Sequence, residues 1–126
     1  KPYAPPELEG CVDGVACIEA CEDDGEVTCP KVAIQPIISE KSAEKDSIAD
    51  EVYGTEIDES VWVSYFVDRG SLEADVRLVN DATTGWNDEY RTHLFAPKKK
   101  GPMRLWAVVR DSRGGMTWVR IPAYVK

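Results

Sequence analysis

Four cysteines, Cys11, Cys17, Cys21 and Cys29, fall within one short stretch, and the chain holds no other. Thiols packed so closely either pair into disulfides or hold a soft metal ion. Zinc sites are built from cysteines about two to four residues apart. Here five, three and seven residues intervene, so only Cys17 and Cys21 fit that spacing. An even count with Gly, Asp and Glu neighbours points to two disulfides. Disulfides in turn point to an oxidising compartment, extracellular or periplasmic. Sequence does not choose among the three pairings. The working expectation is the interlocked one, Cys11–Cys21 with Cys17–Cys29, an arrangement that occurs in small extracellular modules.

Other reactive residues are sparse. His93 is the only histidine, and no G-x-S-x-G elbow accompanies it, so a Ser-His-Asp arrangement lacks its nucleophile. Its strand position makes it a surface residue, or a partly buried one with a hydrogen bond. The runs Glu22-Asp23-Asp24-Gly25-Glu26 and Asp46 to Glu59 offer the hard oxygens that calcium prefers. Neither follows the D-x-[DN]-x-[DN]-G spacing that wraps one ion, so they read first as solvated faces. No cofactor and no catalytic residue are assigned. The remaining chemistry is contact chemistry. Trp62 and Trp106 are expected on the outward faces of strands, with Trp86 and Trp118 near turns, and an outward tryptophan normally seeks cover. Arg104, Arg110, Arg113 and Arg120 surround the same face. Trp62, Trp106, Trp118, Arg104 and Arg110 are therefore the expected partner-binding residues. Two coverings are open: residues 1–60 fold back over the face, or a partner meets it.

The elements that carry these residues are strands. In Gly101–Val125, Met103, Leu105, Ala107 and Val109 share one face, while Arg104 and Arg110 share the other. Asp111-Ser112-Arg113-Gly114-Gly115 supplies a tight turn. Thr117, Val119, Ile121, Ala123 and Val125 then continue the apolar face, opposed by Trp118, Arg120 and Tyr124. Val61–Val67 alternates likewise, with Val61, Val63, Tyr65 and Val67 inward and Trp62 and Phe66 outward. Shorter strands are expected at Ala74–Val79, Arg91–Ala96 and Val32–Ile38, the last weakened by Pro36. Residues 39–60 read as an acidic connector with room for one short helical turn around Ala43–Val52. Several strands punctuated by turns, without a βαβ rhythm, imply an all-β sandwich.

At these residues the chain resembles a known group. Tyr65 before the Gly70 turn, Phe95-Ala96-Pro97, and Gly101-x-x-Arg104-Leu-Trp-Ala-Val-Val-Arg-Asp111-x-Arg-Gly-Gly115 are similar to immunoglobulin-like and PKD-like modules of secreted bacterial proteins. The resemblance covers about residues 61–125. It implies an antiparallel Ig-like β-sandwich acting as an interaction or spacer module, with no catalytic residues to transfer. The chain departs from it in two places. Phe66-Val-Asp-Arg-Gly70 stands where PKD modules carry a W-x-F-G-D-G-like segment, and the sandwich region has no inter-sheet cysteines.

Composition agrees with one domain plus an appendage. The chain has 126 residues, 43% hydrophobic and 30% charged, enough to bury about 60–70% of its unfolded surface. Residues 1–30 form a Pro- and Cys-rich arm, and 31–126 the sandwich. The net charge of −8 divides into −12 over residues 1–60 and +4 over 61–126. The overall field repels phosphate, which argues against nucleic acid. No apolar run approaches the ~20 residues of a membrane-crossing helix. The opening Lys-Pro-Tyr-Ala-Pro-Pro lacks a signal core, so with disulfides present the expectation is that a signal has been removed. The expected function is a non-catalytic extracellular or periplasmic interaction module, an accessory or structural subunit of a larger assembly that binds a partner protein. The alternative is a carbohydrate-binding module whose tryptophans, Trp86 and Trp118 foremost, stack on sugar rings.

Overall fold

Alternating apolar residues in the second half of the chain build two facing sheets. The structure, a computed structural model, describes residues 10–11, 14–22, 28–39 and 60–126. Among the described residues there is no helix. The strands are β1 (Ala16–Ile18), β2 (Lys31–Ile34), β3 (Val61–Val67), β4 (Ser71–Leu72), β5 (Val76–Asp81), β6 (Gly85–Trp86), β7 (Thr92–Phe95), β8 (Gly101–Asp111) and β9 (Met116–Val125). One sheet runs β1-β9-β8-β3-β5-β6 and curls into a half-barrel; the other runs β2-β7-β4. All pairs are antiparallel except β1 with β9. The Pro-rich arm, most of the first acidic run, and nearly all of the acidic connector with its helical turn lie outside the described residues.

The core forms where the small sheet overlies the large one. Val63, Tyr65, Met103, Leu105, Ala107, Ala123 and Val125 of the large sheet are buried with Ile34 and Leu94 of the small one. Each large aliphatic side chain so buried stabilises the fold by about 1.5–3 kcal/mol. Thr92 is fully buried but satisfied: its hydroxyl donates to the Ala74 carbonyl at 2.7 Å and accepts from the Ala74 amide at 3.0 Å. Gly70 sits at φ 77°, and a Cβ there would come within 2.5 Å of the Phe95 carbonyl oxygen. Only glycine fits that corner.

The β3 boundaries match the alternation read from sequence, and the β8–β9 hairpin closes at the expected turn. There the Asp111 carboxylate accepts from the amides of Arg113 and Gly115 at 2.9 and 2.7 Å. Three expectations need correction. The first strand stops at Ile34, because Pro36 has no amide to donate, and Ile37 is fully exposed. The inward face of β9 is only half covered. Ala123 and Val125 are buried, but Val119 is 44% exposed and Thr117 is exposed too. The hairpin tip reaches past the small sheet, so no second layer lies over it among the described residues.

The third correction concerns sulfur. The bonds are Cys11–Cys17 and Cys21–Cys29, with Cα atoms 5.7 and 5.2 Å apart, not the interlocked pairs. Strand alternation explains why. In β1, Ile18 points into the core, so Cys17 points the other way and is exposed, while Cys29 is buried. Cys17 and Cys29 thus lie on opposite sides of the large sheet. Cys21 and Cys29 instead bracket the crossing from β1 to β2. The Cys21 amide donates to the Pro97 carbonyl at 3.0 Å, and the Ala96 amide to the Pro30 carbonyl at 3.1 Å. Both ends of the staple are anchored on one loop.

Candidate functional site: an aromatic and arginine sheet face

Pleating places the even-numbered residues of β3, β8 and β9 on the convex face of the large sheet, away from the core. Register then sets them in rows. Leu78, Trp62, Arg110 and Met116 form one row across β5, β3, β8 and β9. Val76, Ser64, Val108 and Trp118 form the next. Phe66, Trp106 and Arg120 form the third, with Arg104 beside Pro122 beyond it. The five residues expected to contact a partner, Trp62, Trp106, Trp118, Arg104 and Arg110, therefore share one surface. Arg104 and Arg110 are exposed, Trp62 and Trp106 half-buried, and Trp118 is 64% exposed.

The face is more apolar than tryptophan and arginine alone suggested. Seven large apolar side chains are exposed among the described residues, and five of them, Phe66, Val76, Leu78, Met116 and Trp118, lie on this face. Phe66, Trp106, Val108 and Trp118 rim an open hollow of about 440 Å³. Val76 and Leu78 flank the charged Arg77, the pattern of an inward strand face, and only their pairing with Ser64 and Trp62 sets them outward. Beyond them the register of β5 shifts between Val61 and Trp62, so Val79 and Asn80 are both buried and simple alternation breaks. Met116 was legible in principle, since it shares parity with Trp118 across a strand without a bulge.

Trp86 belongs elsewhere. Its indole donates to Asp88 at 2.8 Å, and its ring meets Tyr90 edge-on at 6.4 Å while packing against the core. A second concavity of about 390 Å³ opens under the hairpin tip, lined by Ile37, Ile38, Val61, Val109, Thr117 and Val119. Its lining also includes Ser39, and residues 40–59 follow outside the described set.

His93 stands away from the aromatic face, on β7 in the small sheet. Its Nδ1 lies 3.2 Å from a Glu73 carboxylate oxygen without the geometry of a hydrogen bond. The other Glu73 oxygen accepts from Arg77 at 3.0 Å. Among the described residues no His, Cys, Asp and Glu cluster could hold a metal ion. Two groups titrate far from their ordinary values. Burial, and then the neighbouring Tyr90, push the Tyr65 hydroxyl up to about 12, and it donates to the Tyr90 carbonyl. The Asp81 carboxylate is held down at about 2 by the Thr83 amide, the Thr83 hydroxyl and the Thr84 amide. Both groups are structural: one ties β3 to the loop leading into β7, the other shapes the β5–β6 turn.

Comparison with protein-family models, curated proteins and solved structures finds no match to the chain.

Proposed function

We propose that this chain is a non-catalytic interaction module of an extracellular or periplasmic assembly, and that it binds a partner protein through the convex face of its large sheet. One observation carries the reading: among the described residues, most of the exposed large apolar side chains gather on that single face, among arginines. Scattered exposed hydrophobics are ordinary, but a contiguous group rimmed by polar residues marks a contact surface. Aromatic and arginine side chains are also the types that dominate binding energy. The two-sheet antiparallel packing and the long closing hairpin support an Ig-like sandwich as the scaffold. The two disulfides support the oxidising location. The carbohydrate alternative rests on Trp118, Trp106 and Phe66, since Trp86 is engaged with Tyr90 and Asp88.

A photo-crosslinking residue at position 66, expressed in the native host, should label one defined protein, whereas the same residue at Lys99 should not. Trp106→Ala should keep the thermal melt and lose the crosslink. Equal labelling from both positions, or an undiminished crosslink in Trp106→Ala, would sink the reading. Glycan-array binding lost in Trp118→Ala, with no protein crosslinked, would move the site to sugar recognition.

A further inference from the structure

We infer that the edge of β9 at Met116–Arg120, along which no strand lies among the described residues, pairs antiparallel with the same edge of a second copy of this chain, about a two-fold axis at Trp118. The Asp111 amide donates to the Gly115 carbonyl at 3.0 Å, so residues 111 and 115 are a hydrogen-bonded pair. In an antiparallel ladder such pairs recur at every second residue. Thr117 with Val109, Val119 with Ala107 and Ile121 with Leu105 therefore exchange bonds with β8. The amides and carbonyls of Met116, Trp118 and Arg120 point the other way. β1 occupies only the far end of that edge. It lies along Ala123–Val125, with the Lys126 amide donating to the Ile18 carbonyl at 2.9 Å and the Ala20 amide to the Lys126 carbonyl at 3.0 Å.

Among the described residues, Met116, Trp118 and Arg120 thus present three amides and three carbonyls to the open edge, and Pro122 adds a carbonyl alone. Such a row is a template for another strand. What selects a second copy is symmetry. The three full donor–acceptor residues are centred on Trp118. They are bounded on one side by Pro122 and β1, and on the other by the Gly114–Gly115 turn. A two-fold axis at Trp118 places it opposite Trp118 of the second copy and each Met116 opposite an Arg120. That register closes about six backbone hydrogen bonds and leaves no amide of the row unpaired. A self-complementary patch of this kind closes on itself as a dimer. On the convex face the two exposed Trp118 rings meet across the seam, and each Arg120 stem lies along Met116. The Arg120 charges stand about 13 Å apart at ~3.3 Å per residue, beyond the ~8 Å screening length of physiological salt. The aromatic faces of the two copies then form one continuous surface, and neither is covered.

Proline substitution separates edge from ladder. At Arg120 the amide faces the open edge, so Arg120→Pro removes a donor the hairpin itself does not use, as native Pro122 already does. Sedimentation equilibrium of the full chain at micromolar concentration should show a dimer for the parent and for Arg120→Ala. Arg120→Pro should be a folded monomer whose melt, unlike the parent's, does not rise with protein concentration. A monomeric parent, or a dimer that survives Arg120→Pro, would overturn the inference. Should Arg120→Pro fail to fold, hydrogen exchange of the parent decides. Amides of Met116, Trp118 and Arg120 should gain at least tenfold protection as concentration is raised, and fast exchange at every concentration overturns the pairing. Protection that arises only on adding another protein's peptide also overturns it. Trp62, Trp106, Trp118, Arg104 and Arg110 are untouched in these variants, so failure here leaves the proposed partner-binding face to its own test.

Discussion

Two side chains show how position, more than residue type, sets chemistry in this protein. Tyr65 is an ordinary inward strand residue until its hydroxyl is buried against the Tyr90 carbonyl. Tyr65→Phe strands that carbonyl and should cost about 1–3 kcal/mol in chemical denaturation. The pH sign follows from the shift. The folded hydroxyl keeps its proton to about 12 while the unfolded one loses it near 10, so stability from this group is whole below pH 10 and fades as pH climbs to 12. Asp81 runs the opposite way, from 3.8 down to about 2. Its contribution is present above pH 3.8 and is lost as pH falls toward 2. A carboxyl NMR titration should place the Asp81 midpoint near 2, and Thr83→Ala should raise it only part of the way to 3.8, because the amides of residues 83 and 84 still donate to the carboxylate. An Asp81 midpoint that ignores Thr83 would refute this account of the turn.

At the scale of elements, the Cys21–Cys29 bond is a strap between sheets. The β1 strand is three residues long and β2 four, too short to hold their places by ladder bonds alone. Closing a loop of this size stabilises by roughly 2–3 kcal/mol on chain-entropy grounds. Cys21→Ser with Cys29→Ser should therefore lower the melting temperature and speed amide exchange in β1 and β2, with β3 and β8 little changed. Cys11→Ser with Cys17→Ser should do less, because Cys11 and Cys17 are exposed and close a loop that spans no sheet junction. Equal effects from the two double substitutions would contradict the strap. Arg69 plays a related part in the loop after β7. Its guanidinium donates to the carbonyls of Lys99, Gly101 and Pro102 at 2.7, 2.8 and 2.8 Å, and so fixes where the long hairpin begins.

Along the whole chain, acidic charge is segregated from the basic and apolar face. The first sixty residues carry the acidic excess, while the convex face carries Arg104, Arg110 and Arg120 among exposed aromatic and aliphatic groups. Loss of the crosslink in Trp106→Ala without loss of folding is expected because the core lies on the other side of the sheet. The β3 boundaries, the closing turn and the shared face of the five residues expected to contact a partner were legible because each depends on side-chain parity along one strand. Parity is local: the pleat imposes it wherever the backbone is extended. Sequence therefore determined that the chain is built of strands, which residues of β3 and β8 point inward, and that its cysteines pair. Tertiary structure decided which cysteines meet, since Cys17 and Cys29 are separated by a sheet that no spacing rule can see. It also decided that, among the described residues, Val119 is uncovered while Val125 is buried and no strand lies along the β9 edge at Trp118. Each of these outcomes turns on whether a distant segment lies alongside, and contact between distant segments is set by packing rather than by local pattern.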